Sequence, residues 1–416
     1  MSKDRNSFWR YENFLIIIMF LVVGLVFLDR LSLGFVFPFI RSELNLNNTQ
    51  LGLTVGLTGV FFGLSTLIFA SLSDFLGKKK MMLVLFVFVF SIATLLTGVV
   101  GSFISLLLIR VLMGLAEGPV MPLVQSIVMA ESSEKRRGFN MGVVQSASSL
   151  MGGTLAPVVT VALAASFGWR SSFYMIAVPG IIVGLILWIY LREPKAASVH
   201  SAENEVVKPT KADYFGVFKT RNVWLSAIIG ICNMMFILTL TAFLPTMFAG
   251  ATTFNENQIG MLLGLMGLMM FVSQLSGPAI SDRVGRVPVI KICSFIAIFL
   301  PIMIALTYQN FTLLLISMVV FAIGNGYQPL ILNVIPAESV SKAFSATSIS
   351  FVILTSEIIG GSAGPILAGI LADRISLTAP LWVAATAGLI SFICTFGIKE
   401  TAPIKKDHPK DISVSL

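Results

Sequence analysis

Twelve apolar runs, each close to the length that crosses a lipid bilayer, leave this chain few alternatives. They lie near 14–37, 49–72, 81–100, 103–129, 139–165, 171–190, 222–249, 258–280, 288–307, 311–335, 344–372 and 377–397. About 20 apolar residues in a helix cover the hydrocarbon core. Inside lipid, backbone N–H and C=O groups must pair within the segment, which selects helices. Hydrophobic residues make up 56% of the 416 and charged ones 12%, which excludes a soluble domain. The expected fold is an all-α membrane protein with twelve transmembrane helices. The first run is too long for a signal-peptide core and lacks a small-residue cleavage site, so no cleavable leader is expected.

The net charge is +8, and its distribution gives the topology. Counting spans from a cytoplasmic N-terminus, 23 of the 28 Lys and Arg fall on the inner side, among them Lys78–Lys80 and Lys135–Arg137. Only Arg41, Arg170 and Arg374 fall outside, and Arg30 and Arg110 lie within spans. Both termini are therefore expected in the cytoplasm, of a multi-pass protein in a bacterial plasma membrane. The basic excess reports orientation, and no nucleic-acid partner is implied. Cys232, Cys293 and Cys394 sit in apolar spans and read as small core residues. No metal site or cofactor is expected, and a monomer is.

The chain repeats itself at 207–208 residues. Gln50-Leu51-Gly52 through Ser73-Asp74 aligns with Gln258-Ile259-Gly260 through Ser281-Asp282, and Gly152-Gly153 and Pro157 with Gly360-Gly361 and Pro365. Two parallel six-helix halves follow, an architecture that places a site near the midplane between them. The division is 1–190 for the N-terminal half, 191–221 for a polar cytoplasmic linker, 222–397 for the C-terminal half and 398–416 for a cytoplasmic tail. Spans 2 and 8 both end in an acid, a glycine turn and basic residues: Asp74, Lys78 and Lys79 in one, Asp282, Arg283 and Arg286 in the other. These read as two copies of an interhalf latch.

Five ionisable residues are buried in spans: Asp29, Arg30, Arg110, Glu117 and Glu357. Each costs roughly 2.5–3.5 kcal/mol at mid-membrane, so they face a protein-lined interior. Arg110 and Glu117 are two helical turns apart on one face. Asp29, Arg30, Arg110 and Glu117 sum to neutrality and are expected to meet as one cluster of spans 1 and 4. The histidines, His200 and His408, lie outside the spans, so proton coupling has to run on carboxylates. Burial favours the neutral acid and a neighbouring arginine favours the carboxylate, which places Asp29 and Glu117 as protonation switches. The planar fork of Arg30 suits a carboxylate.

These motifs resemble known families. The duplicated halves and the loops after spans 2 and 8 resemble the major facilitator superfamily, although Ala70 and Phe75 replace the expected glycine and basic residue in the first copy. Leu28-Asp29-Arg30-Leu31-Ser32-Leu33, and Arg110 through Pro119 with Pro122, resemble the anion:cation symporter family of sialin, the vesicular glutamate carriers and bacterial sugar-acid transporters. That resemblance implies protonation at Asp29 and Glu117 and substrate handling at Arg30. The Spinster lysolipid transporters share the Asp-Arg pair and the span 4 spacing, and give the alternative of a lysolipid or amphipathic-compound exporter.

Substrate choice is expected among Arg30, Arg110, Gln125, Asn233, Gln274, Asn325, Tyr327, Gln328, Ser356 and Glu357. Glu357 has no evident partner in its own half and is not demanded by the resemblance. The expected function is proton-coupled symport of a small organic anion by alternating access. No nucleophile–histidine pair or soluble catalytic domain is present in the sequence to support an enzyme.

Overall fold

The computed structural model describes residues 2–133, 136–193, 219–341 and 344–402; the side chains of 2–10, 70–71, 73–75, 138 and 346 fall outside that description. Most of the expected linker and tail, and both histidines, lie beyond it. Among the described residues every regular element is helical. The spans are α1 (Tyr11–Leu44, part of a helix starting at Ser2), α2 (Asn48–Phe69, in a helix reaching Leu76), α3 (Lys79–Thr97), α4 (Phe103–Glu131), α5 (Phe139–Phe167), α6 (Trp169–Tyr190), α7 (Arg221–Ala251), α8 (Glu256–Val284), α9 (Arg286–Thr307), α10 (Phe311–Glu338), α11 (Thr347–Arg374) and the shorter α12 (Ala379–Thr395). The twelve expected spans are all present, in two six-helix halves. In each half the first helix is the most enclosed, with 61% of the core window of α1 and 78% of that of α7 buried. These two face the centre.

The repeat shows in the irregularities as well. A π-helical segment at Ser148–Leu155 interrupts α5, and another at Ser356–Gly360 interrupts α11, so they begin 208 residues apart. The helix α4 breaks at Gly118-Pro119, and α10 tightens to a 3-10 turn over Ala322–Tyr327 before a π turn at Leu330–Val334. Broken helices leave backbone groups and polar side chains aimed inward, where transporters place their sites.

The halves meet along two pseudo-equivalent seams, α2 on α11 and α8 on α5. Small residues permit the approach. A Cβ on Gly52 would strike the carbonyl of Pro365, and one on Gly267 the carbonyl of Gly153. Leu33, Phe37 and Leu51 join Ala242, Phe243 and Ala368 in an apolar cluster across the seam. This packing runs from mid-depth to the far end, opposite the termini. Among the described residues nothing comparable joins the terminus-side parts of α4 and α5 to those of α10 and α11.

One polar clasp fastens the far end. Asp373, at the end of α11, caps the start of α2: its Oδ1 accepts from the backbone N–H (3.0 Å) and Nδ2 (2.8 Å) of Asn48, and its Oδ2 from the N–H and hydroxyl of Thr49, both 2.7 Å. A carboxylate there satisfies orphan donors and the helix dipole together.

Among the described side chains, Arg286 and Lys79 of the expected latch bond within their own halves. Arg286 bonds Ser281 (2.7 Å), Asp282 (2.5 Å) and Glu338 (2.9 Å), all in its own half. Lys79 of α3 donates to Ser126 of α4, while Lys78 and Arg283 are exposed; the Asp74 side chain lies outside the described residues. The halves stand apart at that end, so these groups turn inward to their own helices. Glu400, just past α12, joins the same corner and accepts from the N–H groups of Arg286, Val287, Thr401 and Ala402. Burial pushes its carboxyl up, but those four donors outweigh it and hold Glu400 below the ordinary carboxylate value.

Asp373→Ala removes the clasp without touching the apolar seam. Losing a cap of this kind costs about 1 kcal/mol, a roughly fivefold population shift. Spin labels at Gly101→Cys, between α3 and α4, and Asn257→Cys, in the first turn of α8, both at the far end, should show a larger long-distance population by double electron–electron resonance. An unchanged distance distribution would mean that the clasp does not hold the seam.

Candidate substrate and proton site

Asp29 and Arg30 are neighbours in sequence but point roughly 100° apart around α1, and they find different partners. Asp29 looks into its own half. Its Oδ2 accepts from the Thr94 hydroxyl of α3, and its Oδ1 is buried with no hydrogen bond. Arg110 of α4 donates to the Asp29 backbone carbonyl at 3.4 Å. Arg30 looks across the seam. Its Nη2 lies 2.6 Å from Oε2 of Glu357 on α11, with side chains 6% and 9% exposed, and its guanidinium stacks 4.4 Å from the Phe62 ring centre.

Glu357, without a cation from its own half, takes one from the other. Arg30 therefore does not belong to the spans 1 and 4 cluster alone: it bonds Glu357 across the seam while Glu117 stays within its electrostatic reach.

The rest of the charged cluster is buried and under-satisfied. Arg110 is 1% exposed and stacks 5.3 Å from the Phe173 ring centre, and its Nε and Nη2 have no hydrogen-bond partner. Glu117, fully buried one residue before the α4 break, has a partner on neither oxygen and stands within electrostatic reach of Asp29, Arg30 and Arg110. Spans 1 and 4 thus come together as expected. Thr94 is the member that sequence reasoning missed; a threonine in an apolar run carries no signal until its neighbour is known.

A small cavity opens beside these arginines. Its polar lining is Arg30, Arg110, Thr58 and Thr241, with Gly34, Val55 and Leu238 among the rest, and no acid lines it. The threonine hydroxyls already donate to Thr54 and Ile237 carbonyls. The free donors facing this space are therefore guanidinium N–H groups. Thr58, Thr241 and Gly34 were not among the expected site residues. Gly34 lies against the backbone of Thr241 and Ala242, and that close approach is the only sequence-level hint.

Most of the polar candidates in the C-terminal half satisfy one another. Ser149 of α5 donates to Gln274 (2.5 Å), Gln274 to Gln328 (2.5 Å), Asn325 to Gln328 (3.2 Å), and Asn233 to Asn325 (2.9 Å) and Tyr327 (3.2 Å); Ser391 of α12 donates to the Tyr327 oxygen (3.2 Å). This chain reaches across the second seam through Ser149. Ser356 stands apart, donating to the Val352 carbonyl of its own helix at 2.6 Å. Gln125 is half-buried on the terminus-side part of α4, away from the cavity lining.

The geometry is that of two halves with a charged interior between them. The Major Facilitator Superfamily model matches residues 19–358 and again 251–414. The chain belongs to that superfamily. It is a membrane transporter and not an enzyme. The "Probable sulfoacetate transporter SauU" of Cupriavidus necator is 24% identical over 279 residues, 65% of this chain and 64% of its own length. The "Hexuronate transporter" of Bacillus subtilis is 24% identical over 407 residues, 94% of each chain. Among solved structures, a bacterial homolog of the human lysosomal transporter Spinster, inward-facing and unoccupied, superposes with a TM-score of 0.77 at 22% identity, over 93% of this chain and 97% of its own. That likeness is one of fold.

The C-terminal polar chain should behave as structure. Asn233→Ala leaves the buried Asn325 Oδ1 without its donor and removes one of the two bonds to the Tyr327 hydroxyl, a loss of about 2 kcal/mol, and should lower the melting temperature in detergent. Ser356→Ala removes only a back-bond to its own helix and should be nearly silent. Equal melting temperatures for the two variants would contradict this division.

Proposed function

We propose that this transporter carries a small organic anion, a sugar acid or comparable carboxylate, in symport with protons by alternating access. The observation that carries the reading is the cavity flanked by Arg30 and Arg110 and lined by no acid, with two nitrogens of Arg110 buried and unpartnered. Buried guanidinium N–H groups left unpaired are costly unless an anion joins them. The names of the sulfoacetate and hexuronate relatives point to the same chemistry. A lysolipid or amphipathic substrate, the alternative suggested by the shared Asp-Arg pair, would need a wide apolar cavity in place of this narrow one.

Protons are assigned to Asp29 and Glu117. Each has buried oxygen without a hydrogen bond, and each lies near an arginine that an incoming anion would occupy. Neutralising a carboxylate frees arginine charge for the anion, and the coupling then has the sign of symport. With the termini placed in the cytoplasm by the charge distribution, the fastened far end faces outward and the conformation is inward-facing. Residues 1–190 and 222–397 would rock as two bodies joined by the 191–221 tether, in a monomer resident in a bacterial plasma membrane.

The test is uptake of D-glucuronate and sulfoacetate into proteoliposomes under an imposed proton gradient. Wild type should accumulate at least one of them, and Asp29→Asn and Glu117→Gln should abolish accumulation. Full gradient-driven accumulation by both variants would remove these acids from the coupling path. Arg30→Lys keeps the charge but loses the planar fork, and the half-saturating concentration should rise about tenfold or more; an unchanged value would leave Arg30 with no part in holding the anion.

A further inference from the structure

The pair formed by Arg30 and Glu357 does something that the transport reading does not require. Arg30 belongs to α1 and Glu357 to the π turn of α11, so the contact joins opposite halves at mid-depth. At 2.6 Å, with both side chains about nine-tenths buried, it is a charge-assisted hydrogen bond of the kind a guanidinium makes with any carboxylate. Glu357 thus occupies, on one of the two arginines beside the cavity, the position that the carboxylate of an organic anion would take.

Among the described residues, Arg30 is the cation that Glu357 bonds. At mid-depth α2 presents Gly59 and Gly63, with Phe62 under the Arg30 guanidinium, and α7 presents Gly230 and Ile231. The charged groups of α11 itself, Asp373 and Arg374, sit at its far end. Neighbouring α1 supplies Arg30, and α4 supplies Arg110, which lines the same cavity, and Glu117, which is in electrostatic reach of Arg30. An acid bonded to Arg30 across the seam is placed to compete for that arginine.

We infer that Glu357 is a built-in competitor of the substrate: it holds the anion seat of Arg30 when the cavity is empty, and the anion must displace it. This rests on the reading of Arg30 as an anion-binding residue. One consequence follows. The empty carrier keeps its halves joined at mid-depth by an internal mimic of its own cargo, so Arg30 is never left uncompensated.

The experiment measures equilibrium binding of D-glucuronate and of sulfoacetate to purified full-length protein at one pH, by calorimetry, for wild type, Glu357→Gln, Arg30→Gln and the double variant. The uncharged near-isostere Glu357→Met serves as a second removal, and melting curves report folding of each. Glu357→Gln and Glu357→Met should bind at least one anion about tenfold or more tightly than wild type, and the gain should vanish in the Arg30→Gln background. Binding no tighter than wild type, binding of neither anion included, overturns the inference. Weaker binding overturns it too, since Glu357 would then be a ligand of the substrate. A gain that persists without Arg30 would replace seat competition with a general field. Wild-type affinity in Arg30→Gln alone would instead remove the arginine from the site, and the transport reading would fail at that residue independently of Glu357.

Discussion

Charged side chains buried at mid-depth in a membrane protein have to be compensated by protein groups, and that requirement decides how the central helices meet. Lipid offers no compensation, and a lone charge at mid-depth costs several kcal/mol. Asp29 turns to Thr94 and Arg110, which draws α1 against α3 and α4. Arg30, one residue on, turns the other way and reaches Glu357. A single dipeptide on α1 therefore ties its own half together and ties that half to the other. The pairing is incomplete: Glu117 and most of Arg110 have no hydrogen-bond partner. Buried polar groups left over in this way are expected where a ligand or a proton completes the set.

The rest of the architecture distributes stickiness unevenly along the seam. From mid-depth to the far end the halves are joined by small-residue packing, an apolar cluster and the Asp373 clasp. Towards the termini, Arg286, Glu338 and Glu400 knit the C-terminal half to itself, and Lys79 bonds within the N-terminal half. Among the described residues one end is fastened and the other shows no comparable contact, with the charged groups between. Such a seam allows the halves to exchange one closed end for the other while the central residues stay in place.

Much of this is legible in the sequence, for physical reasons. Span length and positive-charge placement depend only on the bilayer, so composition reveals them. The duplication survives as glycines and prolines because those residues serve backbone geometry: Ser148 and Ser356 open equivalent π segments 208 residues apart. The charged residues stand out because nothing else in an apolar run resembles them. What stays hidden is direction. Helical phase sends Asp29 and Arg30 to different partners, and sequence adjacency hides that. Gln274, Gln328, Asn325, Asn233 and Tyr327 look like five separate contacts, and their mutual satisfaction depends on three helices packing together. Thr58 and Thr241, which line the cavity, are indistinguishable from other threonines in apolar spans.

The central claim is that anion and proton share one buried charge cluster. The most direct measurement is proton uptake on binding, with no membrane or gradient involved. Purified wild-type protein in weakly buffered detergent solution, with a pH-indicating dye, is mixed with sulfoacetate or D-glucuronate. The account predicts an alkaline shift that saturates with occupancy of the anion site. Saturable anion binding with no proton taken up would contradict it.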